Sequence, residues 1–210
     1  MFGSRRARLD AAKSAEGVAV LNEVIAERQG VEWGAVYAAG EVQRWHMNPA
    51  MARQGQTNAD HQGRCVQLLL LLHPGPSLAL IKVMALHDLG ERWAGDLSRD
   101  FKQAQPDFAA QHAVFEGVEI GRVMGGLPYL TPEETRWLKL IDQLESACFV
   151  LLRVPAEYQR AASGWRAAEL SLFAAARACG LQTAYIERPL EFGAAQIKDV
   201  SPQAGNDLHA

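Results

Sequence analysis

The chain has 210 residues, with 21 Lys+Arg against 24 Asp+Glu and a formal net charge of -3, so it is sized for one compact domain and carries no overall positive field for a nucleic-acid polymer. Hydrophobic residues make up 49% of it, enough to bury a sizeable core. Three scattered cysteines, Cys65, Cys148 and Cys179, odd in number and without CxxC spacing, argue against a disulfide framework and a thiolate zinc site, and fit a reducing compartment. The longest wholly apolar run, Leu68 to Leu72, is far too short for a membrane span, and Arg5, Arg6 and Arg8 have no apolar stretch behind them, so a soluble, cytoplasmic protein without membrane contact is expected.

Apolar residues recur at i, i+3 and i+4 in segment after segment, and alternating runs bounded by hairpin turns are nearly absent, which predicts an all-α fold. A first amphipathic helix is expected from about Asp10 to Gln29, with Gly30 as its stop; it suits core or a dimer face. A loop with Pro49 and Gly55 follows between Arg44 and Asn58, after which Asn58 or Asp60 can cap a helix carrying Cys65, Leu68 and Leu72. Pro74-Gly75-Pro76 ends that helix, and Ser77 caps the next, from Leu78 to about Glu91. Asp96 to Pro106 reads as an irregular or short-helical connection. A helix from about Asp107 to Met124 then ends at Gly125-Gly126. Thr131-Pro132-Glu133-Glu134 is a capping box with Pro at the first helical position, opening a helix to about Leu152 that Pro155 stops. A further helix covers roughly Trp165 to Ala178, with Gly180 as its stop. Residues 1–185 are expected to form one domain and 186–210 a tail without periodicity.

His61 falls on the apolar stripe 61-65-68-72 and His87 on the stripe 80-84-87, so both imidazoles are expected to point inward. An inward histidine is commonly a satisfied core residue. Asp88 changes that reading, because a buried carboxylate normally pairs with a base or a cation. Asp142, beside Leu138, Ile141 and Leu144, is either on a solvated face or directed to the core. Two imidazoles and two carboxylates converging from three helices would make a mixed N/O site for a divalent transition metal such as Zn, Mn or Co.

In order along the chain, Arg44-Trp45, His61, His87-Asp88, Glu91, Gly95-Asp96-Leu97 and Asp142 within Ile141-Asp142-Gln143-Leu144 resemble the HD-domain metal-dependent phosphohydrolases. Among these the pattern is most similar to the small bacterial 5'-deoxynucleotidases, over about residues 44–152. The resemblance implies a helical bundle in which His61, His87, Asp88 and Asp142 ligate Co, Mn or Zn, an ion that polarises a phosphoryl oxygen and lowers the pKa of a bound water. It implies that Glu91 positions or protonates groups at the scissile ester, and that Asp96 orients the attacking water or a sugar hydroxyl. Should the helix persist past Gly90, His87 and Glu91 share one face. Arg44 and Lys102 are the expected phosphate binders, Lys102 being the weaker match, and Trp45 is either a stacking platform or core. Arg64, one turn from His61, is a further phosphate candidate. His46, His73 and His112 fall outside the pattern and read as structural or surface residues.

Two departures bear on the substrate. Around His61 the chain reads Asn58-Ala59-Asp60-His61-Gln62-Gly63-Arg64 where the nucleotidases have a Glu-His-Ser type run, and only 54 positions separate Asp88 from Asp142. The shorter spacing is similar to small phage enzymes that release triphosphate from dATP. The expected function is hydrolysis of a deoxynucleoside 5'-monophosphate to deoxynucleoside and phosphate. The alternatives are a dATP or dNTP triphosphohydrolase and a non-catalytic nucleotide-binding protein that keeps the pocket. The ligand is a small deoxynucleotide in either enzyme, and a homo-oligomer is expected from the amphipathic first helix and the apolar last one.

Overall fold

Every regular element among the described residues, 32–154 and 162–187 of a computed structural model, is a helix, as the spacing of three and four predicts. In chain order these are α1 (Trp33–Gly40), α2 (Pro49–Ala52), α3 (Asn58–Leu72), α4 (Leu78–Leu86), α5 (Glu91–Ala94), α6 (Arg99–Ala104), α7 (Pro106–Met124), α8 (Pro132–Arg153) and α9 (Ala162–Ala178), and residues 184–187 are helical as well. An isolated antiparallel bridge pairs Gln43 with Thr57. The helix expected over Asp10–Gln29 lies outside the described residues, as do residues 188–210 of the expected tail. No described helix is long and apolar enough to cross a membrane.

The chain divides into two compact units, Met1–Leu138 and Lys139–Ala210, with the division falling inside α8. In the first unit α3 packs against α4, α1 against α3, α5 and α7, and α6 against α7. Its core joins Ala35 and Ala39 of α1 to Leu89, Ile120 and Val123, with Leu86, Met124 and Leu127 packed against them. Leu89 is 1% exposed, a burial that contributes about 2 kcal/mol and anchors the turn after α4 to α1 and α7. In the second unit α8 buries Leu140, Ile141 and Leu144, and Leu172, Ala176 and Ile186 are likewise buried.

Local chemistry sets the helix ends. Neither Asn58 nor Asp60 caps α3: Thr57 does, its Oγ1 accepting from Asp60 N at 3.2 Å while the Asp60 carboxylate accepts from Thr57 N at 3.3 Å. Ser77 caps α4 by accepting from Leu80 N, and its hydroxyl also donates to Glu134. The capping box at α8 is present, with Glu134 N donating to Thr131 Oγ1 and Thr131 N to the Glu134 carboxylate. α7 ends at Gly125, whose φ of 72° is left-handed. Two short helices arise in stretches read as connections: Asn48 accepts from Ala50 and Met51 amides to cap α2, with Pro49 in its first turn, and Ser98 caps α6.

The helix expected from Leu78 to Glu91 stops at Leu86, and side chains explain the break. A continuing α-helix would send Asp88 N to Met84 O. Met84 O instead accepts from His87 Nδ1 at 2.9 Å, and with the Gln62 amide oriented to suit its neighbours, Gln62 Oε1 accepts from Asp88 N at 3.1 Å. The chain then turns tightly, Leu89 N donating to Leu86 O and Glu91 N to Asp88 O, before α5 begins. His87 and Glu91 therefore flank a turn and do not share a helix face.

Candidate metal centre

The break after α4 aims three donors at one point. Because Met84 O can only accept, His87 carries its proton on Nδ1, leaving the Nε2 lone pair directed into the protein. That nitrogen faces His61 Nε2 at 3.3 Å. The Asp88 carboxylate lies 3.7 Å from His61 Nε2 and 3.5 Å from His87 Nε2. His61 is fully buried on the first turn of α3, where Cys65 lies one turn on. Bond lengths of ~2.0–2.1 Å place two imidazole nitrogens on a tetrahedral ion about 3.3 Å apart, so the residues fit a divalent metal. His61, Cys65 and His87 each offer a ligand atom, all within 4.8 Å of one another.

Around these donors most polar groups have a partner. Arg44 Nη1 donates to Asp88 Oδ2 at 2.6 Å, a pair that is nearly excluded from solvent. Gln62 takes Asp88 N and also donates to Ala85 O, tying α3 to the end of α4. Asn58 Nδ2 donates to Glu91 Oε2 at 2.9 Å, while Asn58 Oδ1 is buried without a hydrogen-bond partner among the described residues. Glu91, 1% exposed, has its pKa raised to about 8, by burial first and then by the Asp88 and Asp96 carboxylates, against the opposing pull of Arg44 and of the Asn58 bond.

The segment before α3 is clamped over this site by two backbone bonds, Arg44 N to Gln56 O and Asn58 N to Val42 O. Trp45 has a φ of 63°, a conformation that costs a non-glycine residue on the order of 1–3 kcal/mol. It is retained because Trp45 N donates to Asp96 Oδ2 at 2.8 Å, Trp45 O accepts from Asn48 N, and the indole N–H donates to Gln56 Oε1. Asp96 itself follows Gly95, whose φ of 75° lets the chain turn back toward this segment.

The structure thus brings together His61, His87, Asp88, Arg44 and Glu91, with Asp96 and Trp45 beside them. Arg64 is on α3 but pairs with Asp60 at 3.8 Å, toward solvent. Lys102, on α6, acts electrostatically on His112 of α7. Asp142 is half-buried on α8 in the second unit, and its place among the ligands rests on the resemblance alone.

Five positions escaped the sequence reading, the first being Cys65: scattered cysteines without CxxC spacing argued against a thiolate site, yet helical spacing brings Cys65 to His61 and the fold brings His87 to both. Asn58 and Gln62 flank His61 at the start of α3, and Gln56 is buried two residues earlier; their signal was amide side chains on a face that turns inward. His112 was read as structural or surface. It is buried, with Nδ1 3.1 Å from Glu116 and Nε2 lacking a hydrogen-bond partner among the described residues. Its pKa is lowered by burial and then by Lys102, and raised in part by Asp88, so it lies within the field of the centre. Comparison with known protein families, curated proteins and solved structures finds no match to the chain.

Proposed function

We propose that the chain is a metal-dependent phosphohydrolase of the HD type, converting a deoxynucleoside 5'-monophosphate to deoxynucleoside and phosphate. The observation that supports it most is the 3.3 Å approach of two imidazole nitrogens beside the Asp88 carboxylate, with the buried Glu91 carboxyl feeling the Asp88 charge. His61, His87 and Asp88 would hold a divalent Co, Mn or Zn ion, which would supply Lewis-acid charge to the phosphoryl group and a nucleophile at neutral pH. Glu91, whose burial and carboxylate neighbours favour its protonated form, would serve as general acid for the departing sugar oxygen, and Asn58 fixes its carboxyl through Oε2. Arg44 neutralises Asp88 and turns its remaining cationic surface to the phosphate. Asp96 holds the Trp45 backbone, so the indole is offered in one orientation to the base or sugar. Lys102 of α6, whose charge is felt by His112 of α7, would add a positive charge for the remaining substrate oxygens.

The test is incubation with dAMP and with dATP, AMP serving as control, under each of Mn, Co and Zn, with the released product identified. Phosphate from dAMP is the expected result. Triphosphate from dATP with dAMP untouched would replace this reading with the triphosphohydrolase. Nucleotide binding without turnover under any metal would identify a non-catalytic binding protein. His87→Ala is expected to abolish both metal retention and turnover.

A further inference from the structure

We propose that Cys65 is itself a ligand, adding a thiolate to His61, His87 and Asp88 and making the centre selective for Zn(II) and Co(II) over Mn(II). The inference rests on the metal-centre reading above and deepens it. Cys65 is fully buried and in no disulfide, one helical turn after His61. Its Sγ lies against the His61 ring, 3.6 Å from Nε2 and 3.8 Å from Nδ1, and the His61, Cys65 and His87 ligand atoms all lie within 4.8 Å of one another. A metal on His61 Nε2 would hold a sulfur ligand ~3.6 Å from that nitrogen and on the order of 5 Å from Nδ1, so Sγ has to swing away from Nδ1, by rotation about χ1, to join the set. The i, i+4 spacing on α3 delivers imidazole and sulfur to the same side of the helix, while His87 and Asp88 come from the turn after α4. Two nitrogens, one oxygen and one sulfur thus come from α3 and the turn after α4, and the water that the proposed reaction needs would enter as a fifth ligand.

Ligand softness decides the consequence. Thiolate and imidazole together suit zinc, whereas manganese favours carboxylate, carbonyl and water oxygens. On binding, the sulfur–metal bond forms as the thiol proton passes to solvent. The other two cysteines are not part of this donor group. Cys148 is on α8, where burial and Glu145 push its thiol up to about 11.

Cobalt(II) titration of the metal-stripped full chain tests this, since d–d absorption reports binding and a near-ultraviolet sulfur-to-cobalt charge-transfer band reports thiolate ligation. Both are expected in the wild-type chain and in a Cys148→Ser, Cys179→Ser double variant. In Cys65→Ser the charge-transfer band is expected to vanish, with zinc affinity falling on the order of tens of fold, a scale that loss of even an outer partner of a metal ligand can reach. Cobalt bound with d–d bands but no charge-transfer band would overturn the thiolate and leave the His61–His87–Asp88 centre standing. No cobalt bound would overturn the metal reading and this inference with it. A charge-transfer band that survives in Cys65→Ser would overturn it by assigning another thiol. Should circular dichroism show Cys65→Ser unfolded, the double variant, whose one remaining thiol is Cys65, decides: absence of the band there overturns the inference.

Discussion

A carboxyl whose surroundings favour its protonated form leaves a thermodynamic trace as well as a catalytic one, and Glu91 is such a group. Its folded-state pKa of about 8 stands above the ordinary 4.5, so the folded protein binds this proton more tightly than the unfolded chain does. The associated stability is fully present below about pH 4.5 and is lost as pH rises through about 8. Glu91→Gln, which keeps an acceptor for Asn58, is therefore expected to match the wild type near pH 4.5 and to exceed it above pH 8, by up to a few kcal/mol at ~1.4 kcal/mol per pH unit of the window. Thermal unfolding in chelator at the two pH values checks this. The same variant is expected to lose turnover while still binding metal. Arg44 carries the opposite role of compensating a charge. Arg44→Met leaves Asp88 buried without its guanidinium partner and is expected to cost about 3 kcal/mol by denaturant unfolding.

At the scale of elements, the centre depends on how closely α7 crosses the turn between α4 and α5. A Cβ placed on Gly90 would lie 2.8 Å from Glu116 Cγ and 3.0 Å from Glu116 Cα, so backbone as well as side chain would have to move. Gly90→Ala is expected to destabilise the protein by about 1–3 kcal/mol and to weaken metal binding, because Asp88 and Glu91 sit on either side of it. Calorimetric titration of zinc into the variant measures the second effect. Arg92 reinforces the same contact, donating to Glu119 at 2.6 Å, and Arg122 donates to that carboxylate from the next turn of α7. The α3 cap acts more gently. Thr57→Ala is expected to lower stability by about 1 kcal/mol and to leave metal stoichiometry unchanged, since the remaining turns of α3 still hold His61.

For the molecule as a whole, a metal that binds the folded chain alone adds stability by mass action, about 2.7 kcal/mol at a hundredfold excess over its dissociation constant. Zinc at saturating concentration is expected to raise the melting temperature of the wild type and to leave that of a His61→Ala, His87→Ala variant unchanged. The gain belongs to the first unit, where His61, His87, Asp88 and Cys65 all lie.

Local rules carried much of this protein. Apolar periodicity determined the helical class, proline, glycine and the Thr131–Glu134 box determined where α7 and α8 end or start, and the inward stripes of α3 and α4 placed His61 and His87 inside. These follow from interactions over three or four residues, which a linear sequence contains. What the sequence did not determine is where α4 stops, because Gln62, from another helix, takes the Asp88 amide and His87 takes the carbonyl it would have used. Nor did it determine that Arg44 pairs with Asp88, that Asn58 reaches Glu91, or that His87 comes to His61 and Cys65. Those contacts join residues up to 44 positions apart. Only tertiary structure creates them, since a partner for a buried polar group is fixed by which helices pack together and not by the residues on either side of it.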